Sequence, residues 1–125
     1  FVKRSPSRIR YRTLAPVQAH CELLLSMLAY AGHRDLESAR HGFEQAKQML
    51  ELPDVRLRPV DDLKFTALDA ALGALEEAAP KVKRQLLRAA VACIAADRTV
   101  TATEAELLRA MSASLGCPMP PLLLD

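Results

Sequence analysis

Apolar residues recur along the chain at helical spacing in five stretches. Val17, Cys21, Leu24, Leu25 and Leu28 line one face of a helix predicted from about Pro16 to Ala31. Pro16 suits the first turn, where its missing N–H is not needed, and Gly32 is placed just beyond the end as a residue able to take positive φ. A second helix is predicted from Asp35, a good N-cap type, to about Leu50. Leu36, Ala39, Phe43, Ala46 and Leu50 make its narrow apolar seam, while Glu37, Arg40, Glu44, Gln45 and Lys47 cover the wet face. Pro53 stops it. A third helix is predicted from Asp61 or Asp62 to about Ala78, with Phe65, Leu68, Leu72 and Leu75 facing inward. Glu76 and Glu77 then lie against the negative end of its dipole, with Lys81 and Lys83 nearby to offset them.

The stretch Leu86–Leu115 organises this pattern. The fourth helix opens with Pro80 and runs to about Ala96, and its second half from Leu86 contains one polar residue, Arg88. A helix apolar nearly all round is expected at the centre of its domain. After a bend at Asp97–Val100, Thr101 and Glu104 form a capping box that opens a fifth helix from about Ala102 to Leu115. Leu107, Leu108, Met111 and Leu115 face inward, and Gly116 followed by Pro118 ends the helix. The longest connection, residues 51–60, holds two prolines and marks a border between two halves; Val55 and Leu57 alternate with Arg56 and Arg58, packing one side of it on the core. Leu122–Leu124 in the tail are expected to fold back on the bundle. The expected fold is all-α, a compact bundle of about five main helices, with residues 1–14 as a basic linker or arm and 15–125 as a single helical domain.

Composition agrees. Only 4% of the 125 residues are aromatic and none is Trp, so the core is built from Leu, Ala and Val. The net charge of +2 is too balanced to indicate nucleic acid. The arm differs: Lys3, Arg4, Arg8, Arg10 and Arg12 are offset by no acid. It reads as a solvated tail or as a segment beside an anionic membrane surface, where each Lys or Arg contributes about 1 kcal/mol. The three cysteines, Cys21, Cys93 and Cys117, have no C-x-x-C spacing and read as reduced thiols in a reducing compartment. No apolar run approaches the roughly 20 residues that span a bilayer, and no leader pattern is present. Starting at Phe1 without an initiator Met, the chain reads as a piece of a longer protein.

Catalytic chemistry finds no constellation here. His20, His33 and His41 form no H-E-x-x-H, and His41 with Glu44 lacks a third ligand. There is no G-x-S-x-G, and four glycines compose no phosphate-cradling loop. Asp97, Glu104 and Glu106 flank the bend, but Glu104 is used by the capping box and the loop has no D-x-D-x-D pattern, so their use reads as structural. The arm and Lys81–Arg88 are basic but carry no recognition motif, so no nucleic-acid partner is expected. No catalytic, cofactor-binding or metal-binding residue is assigned.

The segment IAADRTVTATEAELLRAMSASLG resembles the recurrent hairpin of TerB-like (tellurite-resistance-like) helical domains, in which A-A-D-G-x-V precedes a Thr or Ser and E-x-x-L-L; Arg98 stands at the family's glycine position. The phrases LAYAGH (Leu28–His33), VRLRPVDDL (Val55–Leu63) and CPMPPLL (Cys117–Leu123) are similar to the C-terminal cytoplasmic region of HtpX-type bacterial membrane zinc metallopeptidases, over most of residues 15–124. That resemblance implies a non-catalytic accessory domain, with the membrane spans, the H-E-x-x-H helix and the zinc all upstream. It implies as partner the chain's own peptidase domain or a protein substrate. The place implied is the cytoplasmic side of the inner membrane, where the basic arm leaves the last span beside anionic lipid. The alternative implied by the hairpin is a TerB-like stress-response module with a metal held by acids at the Asp97 bend.

Overall fold

The computed structural model describes residues 9–32, 35–52, 54–96 and 100–117. Pro16 sits in a 3-10 turn, Ala15–Val17, that leads directly into α1 (Gln18–Gly32). Then come α2 (Leu36–Leu50), a second 3-10 turn (Val60–Asp62), α3 (Phe65–Glu76), α4 (Pro80–Ala95) and α5 (Ala102–Leu115). The result is an all-α bundle of five main helices, with no strand among the described residues. The caps follow local chemistry. Asp35 accepts the Ser38 N–H at 2.7 Å. Thr101 Oγ1 accepts the Glu104 N–H at 3.1 Å, and Glu104 Oε1 accepts the Thr101 N–H at 2.9 Å. Gly116 ends α5 in the left-handed region at φ 68°.

The central helix is α1, not α4. Cys21, Leu23, Leu24, Leu25, Ser26, Leu28 and Ala29 are buried around most of its circumference, and it packs on each of the other four helices. On α4, Arg88 and Ala95 are exposed and Val91 and Ala92 half-buried. Alanine costs little at a surface, so an alanine-rich apolar run does not by itself mark the inside. The most extensive helix pairing joins α2 to α4, so the two halves on either side of residues 51–60 interleave and no border lies there.

That connection is held to α1 by a row of three polar side chains spaced by four residues. Glu22 Oε2 accepts the Arg56 N–H and Glu22 Oε1 accepts from Arg58 Nε, both at 2.7 Å. Ser26 Oγ accepts the Arg58 N–H at 3.0 Å, and Tyr30 Oη donates to the Arg58 carbonyl at 2.7 Å. Val55 is buried and Leu57 half-buried beneath. A segment with prolines thus satisfies its backbone without a helix or a ladder.

Several expectations are corrected. Asp61 and Asp62 do not cap α3; they form the short 3-10 turn, Leu63 turns onto the core, and the helix begins after extended Lys64. Phe65, expected inward, is 82% exposed. Leu36, in the first turn of α2, is 50% exposed. The third helix stops at Glu76, short of Ala78, because Ala78 and Ala79 engage the arm: Arg10 and Tyr11 N–H donate to the Glu77 carbonyl at 2.8 and 3.2 Å, and Ala79 N–H donates to Tyr11 O at 2.7 Å. Arg10, rather than Lys81 or Lys83, meets the Glu77 carboxylate, at 3.2 Å. The tail from Pro118, with Leu122–Leu124, lies outside the described residues.

Gly32 is the last residue of α1 and does not take positive φ. Its lack of a side chain serves another purpose: a Cβ there would overlap the buried Glu104 carboxylate. Gly32→Val therefore displaces the Glu104 carboxylate from its cap or spreads α1 from α5, and is expected to cost about 1–3 kcal/mol. Gly73→Ala, on α3 with open space around it, is expected to add about 0.5–1 kcal/mol. Urea denaturation of both variants measures the contrast.

Candidate functional site

The described surface has one conspicuous apolar recess, where α1, α3 and α5 diverge. Met27, Tyr30 and Ala31 of α1 form one wall, and Thr103, Glu106, Leu107 and Ala110 of α5 the other. Leu63, Phe65 and Leu68 close it from the start of α3. The recess is an open groove of about 560 Å³. Ala31 and Ala110 contribute small side chains to its lining. Tyr30 is immobilised by its bond to Arg58, which fixes one wall. The only charged lining residue is Glu106, which pairs with Arg109 at 3.5 Å along the exposed side of α5.

Phe65 stands at the lip with most of its ring in water. Burying a phenylalanine side chain contributes about 1.5–3 kcal/mol, so a partner covering Phe65 and the groove recovers that energy. Contiguous exposed apolar surface of this kind is the ordinary mark of a contact site. An open, shallow form suits side chains of a protein segment better than the enclosure of a small molecule.

Three of the groove residues were read from the sequence as facing the core. Phe65 and Leu68 fall on the apolar face of the third helix, and Leu107 on that of the fifth. Helical periodicity reports which face is apolar; it does not report whether another element covers that face. The start of α3 is uncovered because the preceding chain is tied to α1.

The residues proposed for the membrane-facing arm divide. Arg10 and Arg12 are described and exposed, Arg10 lying 5.7 Å over the Tyr11 ring. Lys3, Arg4 and Arg8 lie outside the described residues, as does Asp97 at the bend. His20 is half-buried on α1 and His41 exposed on α2; His33 is outside the described residues. Among the described residues no three His, Cys, Asp or Glu side chains converge as metal ligands, and no helix is long and apolar enough to cross a membrane. Comparison with known protein families, with curated proteins and with solved structures finds no match to this chain.

None of the three cysteines is in a disulfide; Cys21 and Cys93 are buried and Cys117 is half-buried. Burial pushes the Cys21 thiol up from 9.0 to about 12, since the low-dielectric interior disfavours the thiolate. The unfolded chain releases this proton near its ordinary value while the folded chain keeps it. The stabilising contribution is therefore full below about pH 9.0 and is lost as pH rises towards 12. Iodoacetamide at neutral pH is expected to modify Cys117 well before Cys21. Urea midpoints at about pH 8 and about pH 11 should fall less steeply in Cys21→Ala than in the parent chain, although the variant is less stable at both.

Proposed function

We propose that this domain is a non-catalytic interaction module, the C-terminal accessory domain of a membrane-bound zinc metallopeptidase, and that its α1–α3–α5 groove receives an apolar segment of the parent chain's own peptidase domain. The observation that carries the binding role is the open groove with Phe65 82% exposed at its lip. The peptidase assignment is supported by the resemblance of LAYAGH, VRLRPVDDL and CPMPPLL to the cytoplasmic tail of HtpX-type enzymes. The five-helix bundle and its Thr101–Glu104 capping box are compatible with a TerB-like hairpin. The role of the domain is to position or restrain the catalytic part, with peptide hydrolysis carried out upstream.

The coding sequence before Phe1 tests the assignment directly. Apolar spans and an H-E-x-x-H helix there support it. A start codon within a few residues overturns it and leaves the TerB-like stress-response module as the standing alternative, to be checked by divalent-metal binding that is lost in Asp97→Ala.

Phe65→Lys tests the groove. Because the side chain is exposed, folding stability should change by no more than about 0.5 kcal/mol. Affinity for the separately produced upstream peptidase region should fall by about 2 kcal/mol, the scale of a central aromatic anchor. Calorimetric titration of the two pieces measures this, and equal affinities for parent and variant would remove the groove from the interface.

A further inference from the structure

The net charge of +2 conceals an asymmetry. Residues 1–14 carry five basic side chains and α4 carries four, Lys81, Lys83, Arg84 and Arg88, with no acid in either segment. The rest of the chain is therefore net acidic. On α4, Lys81, Arg84 and Arg88 are spaced by three and four residues, so they share one face. All three are exposed, and none has an ion-pair partner among the described residues. The opposite face, with Leu86, Ala90 and Cys93, is buried.

Tertiary structure brings the arm to the start of this helix. The bridge between Tyr11 and Ala78, and the hydrogen bond from Ala79 N–H to Tyr11 O at 2.7 Å, place the arm backbone against the first turn of α4. Arg12, the next residue, is exposed there. Glu77, an acid at this end, is engaged by Arg10 at 3.2 Å. Two basic segments some seventy residues apart in sequence thus meet at one end of the bundle, and the uncapped amide end of α4 adds the positive pole of its dipole.

We propose that Arg12, Lys81, Arg84 and Arg88 form a docking surface for an anionic lipid bilayer. The inference goes beyond the groove, shares no residue with it, and does not rest on the peptidase reading. Long, flexible cationic side chains along an outer helix face suit a diffuse planar charge. Sequence-tolerant nucleic-acid binding would call for aromatic stacking platforms among the charges; the stripe on α4 has none, and Tyr11 beside Arg12 is half-buried with Arg10 over its ring.

The test is co-sedimentation of the 125-residue chain with vesicles of phosphatidylcholine, with and without phosphatidylglycerol. Binding is expected only with the anionic lipid and should weaken as salt is raised. Reversing Lys81, Arg84 and Arg88 together to Glu should lower the affinity on the order of a hundredfold or more, from a loss of about fivefold per charge. Reversing Arg40, Arg56 and Arg109, which changes the net charge equally on other elements, should leave most of the binding. Arg12→Glu should weaken it at least about fivefold, and it decides the matter if circular dichroism shows the α4 variant misfolded. Equal losses in the two triple variants, no binding to anionic vesicles, equal binding to neutral ones, or tighter binding of a duplex oligonucleotide at the same salt would each overturn the proposal.

Discussion

The approach of Gly32 to Glu104 is the contact on which the arrangement of helices depends. The capping box would form in any helix with this sequence, because it joins Thr101 to Glu104 three residues away. Here it also does tertiary work. The Glu104 side chain is fully buried and occupies the space that a side chain at position 32 would need. Thr101 Oγ1 donates to the Ala31 carbonyl at 3.4 Å, engaging one of the carbonyls left over at the end of α1. The start of α5 is thereby clamped to the end of α1. Both walls of the groove begin within a turn of that clamp, at Ala31 and Thr103.

The third wall depends on a different constraint. Glu22, Ser26 and Tyr30 form a polar ridge on a largely apolar central helix. They supply the acceptors and the donor that residues 56–58 lack in a stretch without regular structure. With that segment anchored, Leu63 turns onto the core, and α3 begins only at Phe65, too late to bury its first aromatic ring. An exposed phenylalanine is therefore a consequence of how the loop is tied, and the groove is built into the packing of the domain.

The two surfaces differ in physics. The groove offers short-range apolar burial in a defined shape, which favours a protein segment. The face of α4 with the docked arm offers long-range attraction without shape, which favours a charged plane.

What the sequence by itself determined is local: the five helices, the Asp35 cap, the Thr101–Glu104 box, the Pro80 start and the Gly116 stop. The caps and stops rest on residues within one helical turn and the helices on their own periodicity, and no distant partner overrules them except at the two ends of α3. The inward faces of α1 and of α5 were legible for the same reason, through periodicity. What only the tertiary structure decided is which apolar helix lies at the centre, where α3 begins, why residue 32 is glycine, and that the arm joins α4. Those outcomes rest on pairs far apart in the chain, Gly32 with Glu104, Glu22 with Arg58, Tyr11 with Ala78. The candidate sites belong to this second group, because an uncovered apolar face and a shared basic face exist only once it is settled which elements lie beside one another.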